Sequence, residues 1–215
     1  MPRTIQSLSR LLTVLLALVT GFANAQEPQE GRHYQRIKNA QPVETGKKIE
    51  VIEFFSYGCP HCASLEPFIN PWSKKLPADV QFRRVPVLFQ TPWINLAKIY
   101  FTLETLGVEE RYSQAVFDAL HRERVAIHQE PAFLDWAAKK GLDREKVAGV
   151  FASFSVNSSV SRARAQGAAY RVQGVPMVIV DGKFMTDVEM NGGNEQMLRV
   201  VEQLITKARA ERGTR

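Results

Sequence analysis

Cysteine is almost missing from this chain. Among 215 residues there are two, Cys59 and Cys62. A secreted scaffold stapled by disulfides uses many more than that. A structural zinc site wants four ligands, and no second cysteine pair exists to complete one. Histidine is scarce too: His33, His121 and His128 follow no metal-ligand spacing, and His61 lies between the cysteines. Covalent haem attachment needs a histidine directly after the second cysteine, where Ala63 stands. Basic residues outnumber acidic ones by 28 to 22, but they are interspersed and form no block like a nucleic-acid arm. The densest basic stretch, SRARAQGAAYR (161–171), has the spacing of a solvated helix face, with a contact surface for an acidic partner as the lesser reading. Internal repeats, low-complexity segments and flavin, nicotinamide or metal motifs are lacking as well, so no cofactor is expected.

Long apolar runs are also missing. LLTVLLALV (11–19) is too short to span a bilayer comfortably. It follows Arg3 and Arg10, and a small-x-small site, Ala23-Asn24-Ala25, ends it. The pattern predicts a secretory signal peptide over 1–25, cut before Gln26, with an uncleaved N-terminal anchor as the alternative. No cysteine follows the run before Cys59, so nothing there carries a lipid. Cleavage removes Arg3 and Arg10 and no acid, which takes the net charge from +6 to +4. The roughly 190 residues that stay are enough for one well-cored domain, or for one with an insertion.

What is present is concentrated in FFSYGCPHCASLEP (54–67). A bridge between Cys59 and Cys62 closes so small a loop that it restricts the unfolded chain little. The pair therefore binds something or does redox chemistry. Export into an oxidising compartment, with a single close pair in place of a framework, favours catalysis.

The elements around the pair can be read from period and punctuation. HYQRIKNA (33–40) predicts a first strand, and KKIEVIEFFS (47–56) a stronger, central one covered on both faces. CPHCASLEPFINPWSKKL predicts a helix, with Pro60 in its first turn and a kink at Pro67. VQFRRVPVLF (80–89) reads as the next strand, giving a parallel βαβ crossover around the cysteines. From 90 to 173 the period becomes helical. Helices are predicted in TPWINLAKIYFTLETLG, EERYSQAVFDALHRE, EPAFLDWAAKKG, DREKVAGVFASF (143–154) and SSVSRARAQGAAYR (158–171). GVPMVIVDGKFMT returns to strands at 178–180 and 183–186 around an Asp181-Gly182 turn, and GGNEQMLRVVEQLITKARAERG closes with an amphipathic helix. The layout is 26–89 as a βαβ half, 90–173 as an all-helical insertion and 174–215 as a ββα half.

At the start of a helix, the Cys59 sulfur faces unsatisfied N–H groups and the positive end of the dipole. Both favour thiolate over thiol. Cys62 lies on the same face, one turn deeper, so Cys59 is read as the attacking thiolate and leaving group and Cys62 as the resolving thiol. The imidazolium or ring N–H of His61 adds to the stabilisation. Only the reduced state has a thiolate, so a low pKa favours opening the bridge. A pKa about three units below pH 7 would give the reduced form roughly 4 kcal/mol, on the order of 90 mV for a two-electron couple.

The segment EFFSYGCPHCASLEP, the GVP triplet at 174–176 and the helical block between them resemble the DsbA family of thiol:disulfide oxidases. The resemblance covers nearly all of the mature chain. It implies an α/β thioredoxin fold with the helical insertion between the βαβ and ββα halves. It assigns Val175-Pro176 to a cis-proline loop facing the disulfide, where Val175 would pair with extended substrate; the residues alone leave cis and trans equally open. It assigns Glu53 to a buried acid that exchanges a proton with Cys62; a solvated strand-edge glutamate is the alternative. The expected catalytic set is Cys59, Pro60, His61, Cys62 and Glu53, with Val175 and Pro176 binding substrate. The expected activity is donation of the Cys59–Cys62 disulfide to reduced, newly exported polypeptides in the periplasm. Reoxidation would come from a DsbB-type membrane quinone oxidoreductase, reached by diffusion, and the protein would act as a monomer. Tyr57-Gly58 stand where an aromatic pair would be expected, and Met177 follows Pro176; both bear on substrate range. A reductase or isomerase on the same fold, and a non-enzymatic holdase or metal-binding module, are the rival readings.

Overall fold

The strand that leads to the cysteines, β2 (Ile49–Phe55), is buried at all seven positions. That follows from cover on both of its faces. In the computed structural model, which describes residues 27–213, a five-stranded sheet has the order β1-β5-β4-β2-β3. The predicted signal peptide lies outside the described residues. β3 (Val80–Pro86) runs parallel to β2, in a register that places Arg84 opposite Glu53. β4 (Met177–Val180) pairs antiparallel with the other side of β2, and β5 (Phe184–Asp187) antiparallel with β4. β1 is only Gln35–Arg36, paired antiparallel with β5.

Alternation along β2 sends Val51 and Ile52 to opposite faces. One face packs Ile49 and Val51 against α1 (Pro60–Ser73) and α8 (Asn194–Gly213), through Leu65, Ile69, Val201, Leu204 and Ile205. The other packs Ile52 and Phe54 against Ala163 of α6 (Phe154–Ala169) and against Tyr170. Between β3 and β4 stand α2 (Thr91–Thr105), α3 (Glu109–His121), α4 (Glu130–Lys139), α5 (Arg144–Ala152) and α6. A short α7 (Val188–Asn191) precedes α8. The βαβ unit, the helical insertion and the ββα unit are thus present as read from the sequence.

The helical block has its own core, and the end of β2 enters it. Phe55, Tyr57, Cys59 and Cys62 share one buried cluster with Ile99, Leu103, Val116, Phe117, Phe133 and Phe151. Full burial of side chains such as Phe55 and Tyr57 stabilises by roughly 2–3 kcal/mol each. The redox motif is therefore held where the sheet core meets the insertion core.

Three local features differ from the sequence reading. The first strand, predicted over 33–40, shrinks to two residues. Beyond it the chain follows the hairpin only through single bonds, Ile37 N–H to the Lys183 carbonyl and Gln41 N–H to the Gly182 carbonyl. That approach explains Gly182: its φ is +65°, and a Cβ there would lie 2.1 Å from the Gln41 carbonyl oxygen. The hairpin closes with Lys183 N–H on the Val180 carbonyl, but Phe184, not Lys183, pairs with Val180. Helix α6 begins four residues earlier than the predicted 158. Ser153 is both the last cap of α5 and the first of α6, its hydroxyl accepting the Val156 N–H. As read from the sequence, helix α1 takes in Pro67 and Pro71, and it runs to Ser73.

Candidate active site

The chain leaves β2 through a tight turn. The Cys59 N–H donates to the Ser56 carbonyl at 3.0 Å, and the Gly58 N–H to the Ser56 hydroxyl at 3.1 Å. Cys59 is extended, with φ −94° and ψ 118°, and caps α1; Pro60 follows in the first turn, where a missing N–H costs nothing. The Cys59 sulfur accepts the Cys62 N–H at 3.4 Å. The two cysteines are unbridged thiols, both buried, with 6 % of Cys59 and 1 % of Cys62 in contact with solvent.

Their acidities part sharply. The Cys59 thiol falls to about 6, chiefly through its hydrogen bond with the Cys62 side chain. Burial opposes that, while the backbone N–H groups of Cys62 and His61, and last the His61 charge, add to it. The helix N-terminus contributes as the sequence implies, but the neighbouring thiol contributes more, and the exposed His61 ring least. A value one unit below pH 7 corresponds to about 1.4 kcal/mol, or on the order of 30 mV, a third of what a three-unit drop would supply. Burial pushes the Cys62 thiol well above its ordinary value, and the Cys59 and Glu53 charges push it the same way.

Val175-Pro176 comes from the far side of the insertion. The bond is cis, and the Val175 carbonyl oxygen lies 3.3 Å from the Cys59 sulfur. Pro176 is buried and Val175 half-buried.

Beneath the pair lies a cluster of charge. Arg84, 7 % exposed, donates from Nε to Glu53 at 2.8 Å and from Nη2 to Glu66 at 2.6 Å. Its Nη1 donates to Glu109 at 3.1 Å and to the Ser113 hydroxyl at 3.0 Å. The guanidinium also lies over the rings of Phe55 and Phe82, each 5.7 Å from the centroid. Three carboxyls face one guanidinium, so full ionisation would leave net negative charge in a largely buried site. Burial raises Glu53 to about 7, with Arg84 pulling down and Glu66 and Glu109 pushing up. Glu53 is thus a buried acid and not a strand-edge one. A cleft of about 760 Å³ has Arg84, Tyr100 and Glu109 in its wall and none of the cysteine motif.

The sequence reading brought together Glu53, Cys59, Pro60, His61, Cys62, Val175 and Pro176, and the fold does converge them. It missed Arg84, Glu66, Glu109 and Ser113. An arginine inside the apolar run VQFRRVPVLF was the available signal, since a charge in such a strand demands a buried partner. It also left Gly58 unexplained. A Cβ at Gly58 would lie 2.6 Å from Trp93 Nε1 and 3.0 Å from Leu96 Cδ1, so Trp93 of α2 occupies the space a side chain at 58 would need.

The comparisons with known proteins agree with this geometry. The DSBA-like thioredoxin domain family matches residues 50–204. The thiol:disulfide interchange protein DsbA of Pseudomonas aeruginosa is 40% identical over 203 residues, covering 93% of this chain and 96% of that one. The protein of the same name from Pseudomonas syringae pv. tomato is 41% identical over 189 residues, covering 87% and 88%. The crystal structure of Pseudomonas aeruginosa DsbA superposes with a TM-score of 0.82 at 41% identity, over 85% of this chain and 95% of that one. The oxidoreductase DsbA from Xylella fastidiosa superposes with a TM-score of 0.79 at 29% identity, over 86% and 100%. A strand-to-helix CPHC with one acidified sulfur, in a thioredoxin fold interrupted by five helices, thus belongs to the DsbA-like thioredoxin family.

Proposed function

We propose that this protein donates its Cys59–Cys62 disulfide to reduced, newly exported polypeptides in the periplasm. It is a thiol:disulfide oxidoreductase. A substrate thiolate attacks the Cys59 sulfur, the Cys59–Cys62 bond breaks, and Cys62 leaves with the electron pair. Cys62 then takes a proton. Glu53, which titrates near neutrality and whose charge Cys62 feels, is the group suited to supply it. A second substrate thiolate attacks the substrate sulfur of the mixed disulfide and expels Cys59 as the thiolate. Substrate gains one disulfide and loses two electrons and two protons; the protein takes up both electrons, with one proton on Cys62 and Cys59 left as the thiolate, and the other proton passes to solvent. A low-pKa sulfur leaves faster, so the acidity of Cys59 speeds release.

The Val175 carbonyl beside Cys59 supports pairing of an extended substrate segment against residue 175, with Pro176 shaping the loop. Pro60 starts the helix, and His61 contributes its N–H and charge. The protein is read as a monomer exported by the segment 1–25 and reoxidised by a DsbB-type membrane quinone oxidoreductase. No nucleic acid or cofactor enters the scheme.

The observation that carries this reading is the split between the two thiols, Cys59 down to about 6 and Cys62 well up. The test is the redox equilibrium with glutathione. A donor has a bridge that glutathione opens readily; a bridge as resistant as that of a structural cystine would assign the protein to another role.

A further inference from the structure

The scheme above uses the cysteines, Glu53 and the loop at Pro176. It leaves unexplained a stripe on α3. Glu109, Ser113, Phe117 and His121 are spaced four apart and share one face. Together they reach Arg84 of the buried charge cluster and Tyr57 of the turn before Cys59. Glu109 and Ser113 accept from Arg84, and Phe117 meets the Tyr57 ring edge-on with centroids 5.0 Å apart. His121, stacked on Phe117, places Nε2 2.7 Å from the Tyr57 carbonyl oxygen. A carbonyl oxygen only accepts, so Nε2 carries the proton and His121 donates.

That bond falls in the turn before Cys59, on the peptide plane next but one to it. The Tyr57–Gly58 plane is fixed at both polar ends, its N–H on the Ser56 hydroxyl and its C=O under His121. Gly58 offers little torsional resistance on its own side. Without the donor the plane keeps only the Ser56 hydroxyl at its N–H end, and its looser hold is passed on to the Cys59 N–H bond to the Ser56 carbonyl. The two redox forms do not feel this equally. In the bridged form the S–S bond itself holds Cys59 beside Cys62. In the reduced form the sulfur anion depends on alignment with the first-turn N–H groups.

We propose that His121 is a positioning residue for Cys59: its hydrogen bond to the Tyr57 carbonyl fixes the turn that aligns the Cys59 thiolate with the helix N-terminus, and so favours the reduced form. The inference rests on reading the pair as redox-active. H121F keeps a ring on Phe117 and loses the donor; H121Q keeps an N–H donor near the place of Nε2. In H121F the Cys59 thiolate absorbance titrates at higher pH, and the glutathione equilibrium moves about three- to tenfold toward the bridged form. H121Q stays within about twofold of the parent protein. An H121F protein with the parent equilibrium, whatever its melting temperature, overturns the proposal, and so does an H121Q protein no better than H121F. Should H121F not fold, nitrogen-15 NMR of the unsubstituted protein decides: a proton on Nε2 in the reduced form supports the bond, and a bare Nε2 overturns it. A parent equilibrium like that of a structural cystine would sink the donor role instead, while the ratio between variants would still be readable.

Discussion

Glu53 sits among groups that disagree about its charge. Burial and two neighbouring carboxyls favour the neutral acid, and Arg84 at 2.8 Å favours the anion. Its value of about 7, against an ordinary 4.5, gives it a proton to lose in the range where thiol exchange runs. Two outcomes follow for Glu53→Gln. The rate of peptide oxidation, followed by stopped flow from pH 5 to 9, carries an inflection near 7 in the parent protein that the variant lacks. Superimposed profiles would remove Glu53 from the proton path. Stability shifts as well. A raised carboxyl pKa contributes stability below 4.5 that is lost as pH rises to 7. The loss is on the order of 3 kcal/mol. Glutamine does not titrate, so the urea midpoint of the variant improves relative to the parent between pH 5 and 8. A constant difference across that range would show that Glu53 is ionised throughout.

The turn between β2 and α1 is the element on which the site depends, and it was only half legible. β2 shows itself as an apolar run and α1 as a helix opened by Pro60, because both signals are local. The Glu53–Arg84 pair is not local. It requires β2 and β3 to lie side by side in one register, and Glu66 and Glu109 to close from two helices. Gly58 was visible as an oddity, but its reason, Trp93, lies on an element whose facing direction no period reveals. The short β1 fails in the same way, since its length is set by what β5 offers. Gly58→Ala tests the account of the turn. A Cβ 2.6 Å from the Trp93 indole forces a shift, costing about 1–3 kcal/mol in urea unfolding. In a Trp93→Ala background the same change costs much less, and the coupling in a double-mutant cycle measures the contact. A cost unaltered by removing Trp93 would mean that the turn itself, and not the indole, demands glycine.

For the whole molecule, the acidity of one sulfur becomes a difference in stability between two redox forms. The reduced form carries the Cys59 thiolate and the bridged form does not, while Glu53 and the buried cluster are common to both. Cys59 titrates near 6 when folded, against an ordinary 9.0. A lowered acid contributes stability that is complete above the unfolded value and lost as pH falls through the folded one. The reduced form should therefore gain on the bridged form by about 1.4 kcal/mol per unit as pH rises from 6 toward 9, and gain nothing below 6. Loop closure by the bridge adds little to the other side, since the ring is short. Cys62, displaced upward, acts against the reduced form only above the ordinary thiol range. Urea unfolding of both forms at pH 5, 6, 7 and 8 measures the gap, which opens by about 3 kcal/mol between pH 6 and 8. By the thermodynamic cycle, that gap is the free energy by which folding loosens the disulfide, and so what the protein can hand to a substrate. Parallel stability curves for the two forms would mean that the fold does not favour the thiolate, and that any oxidising power has another origin.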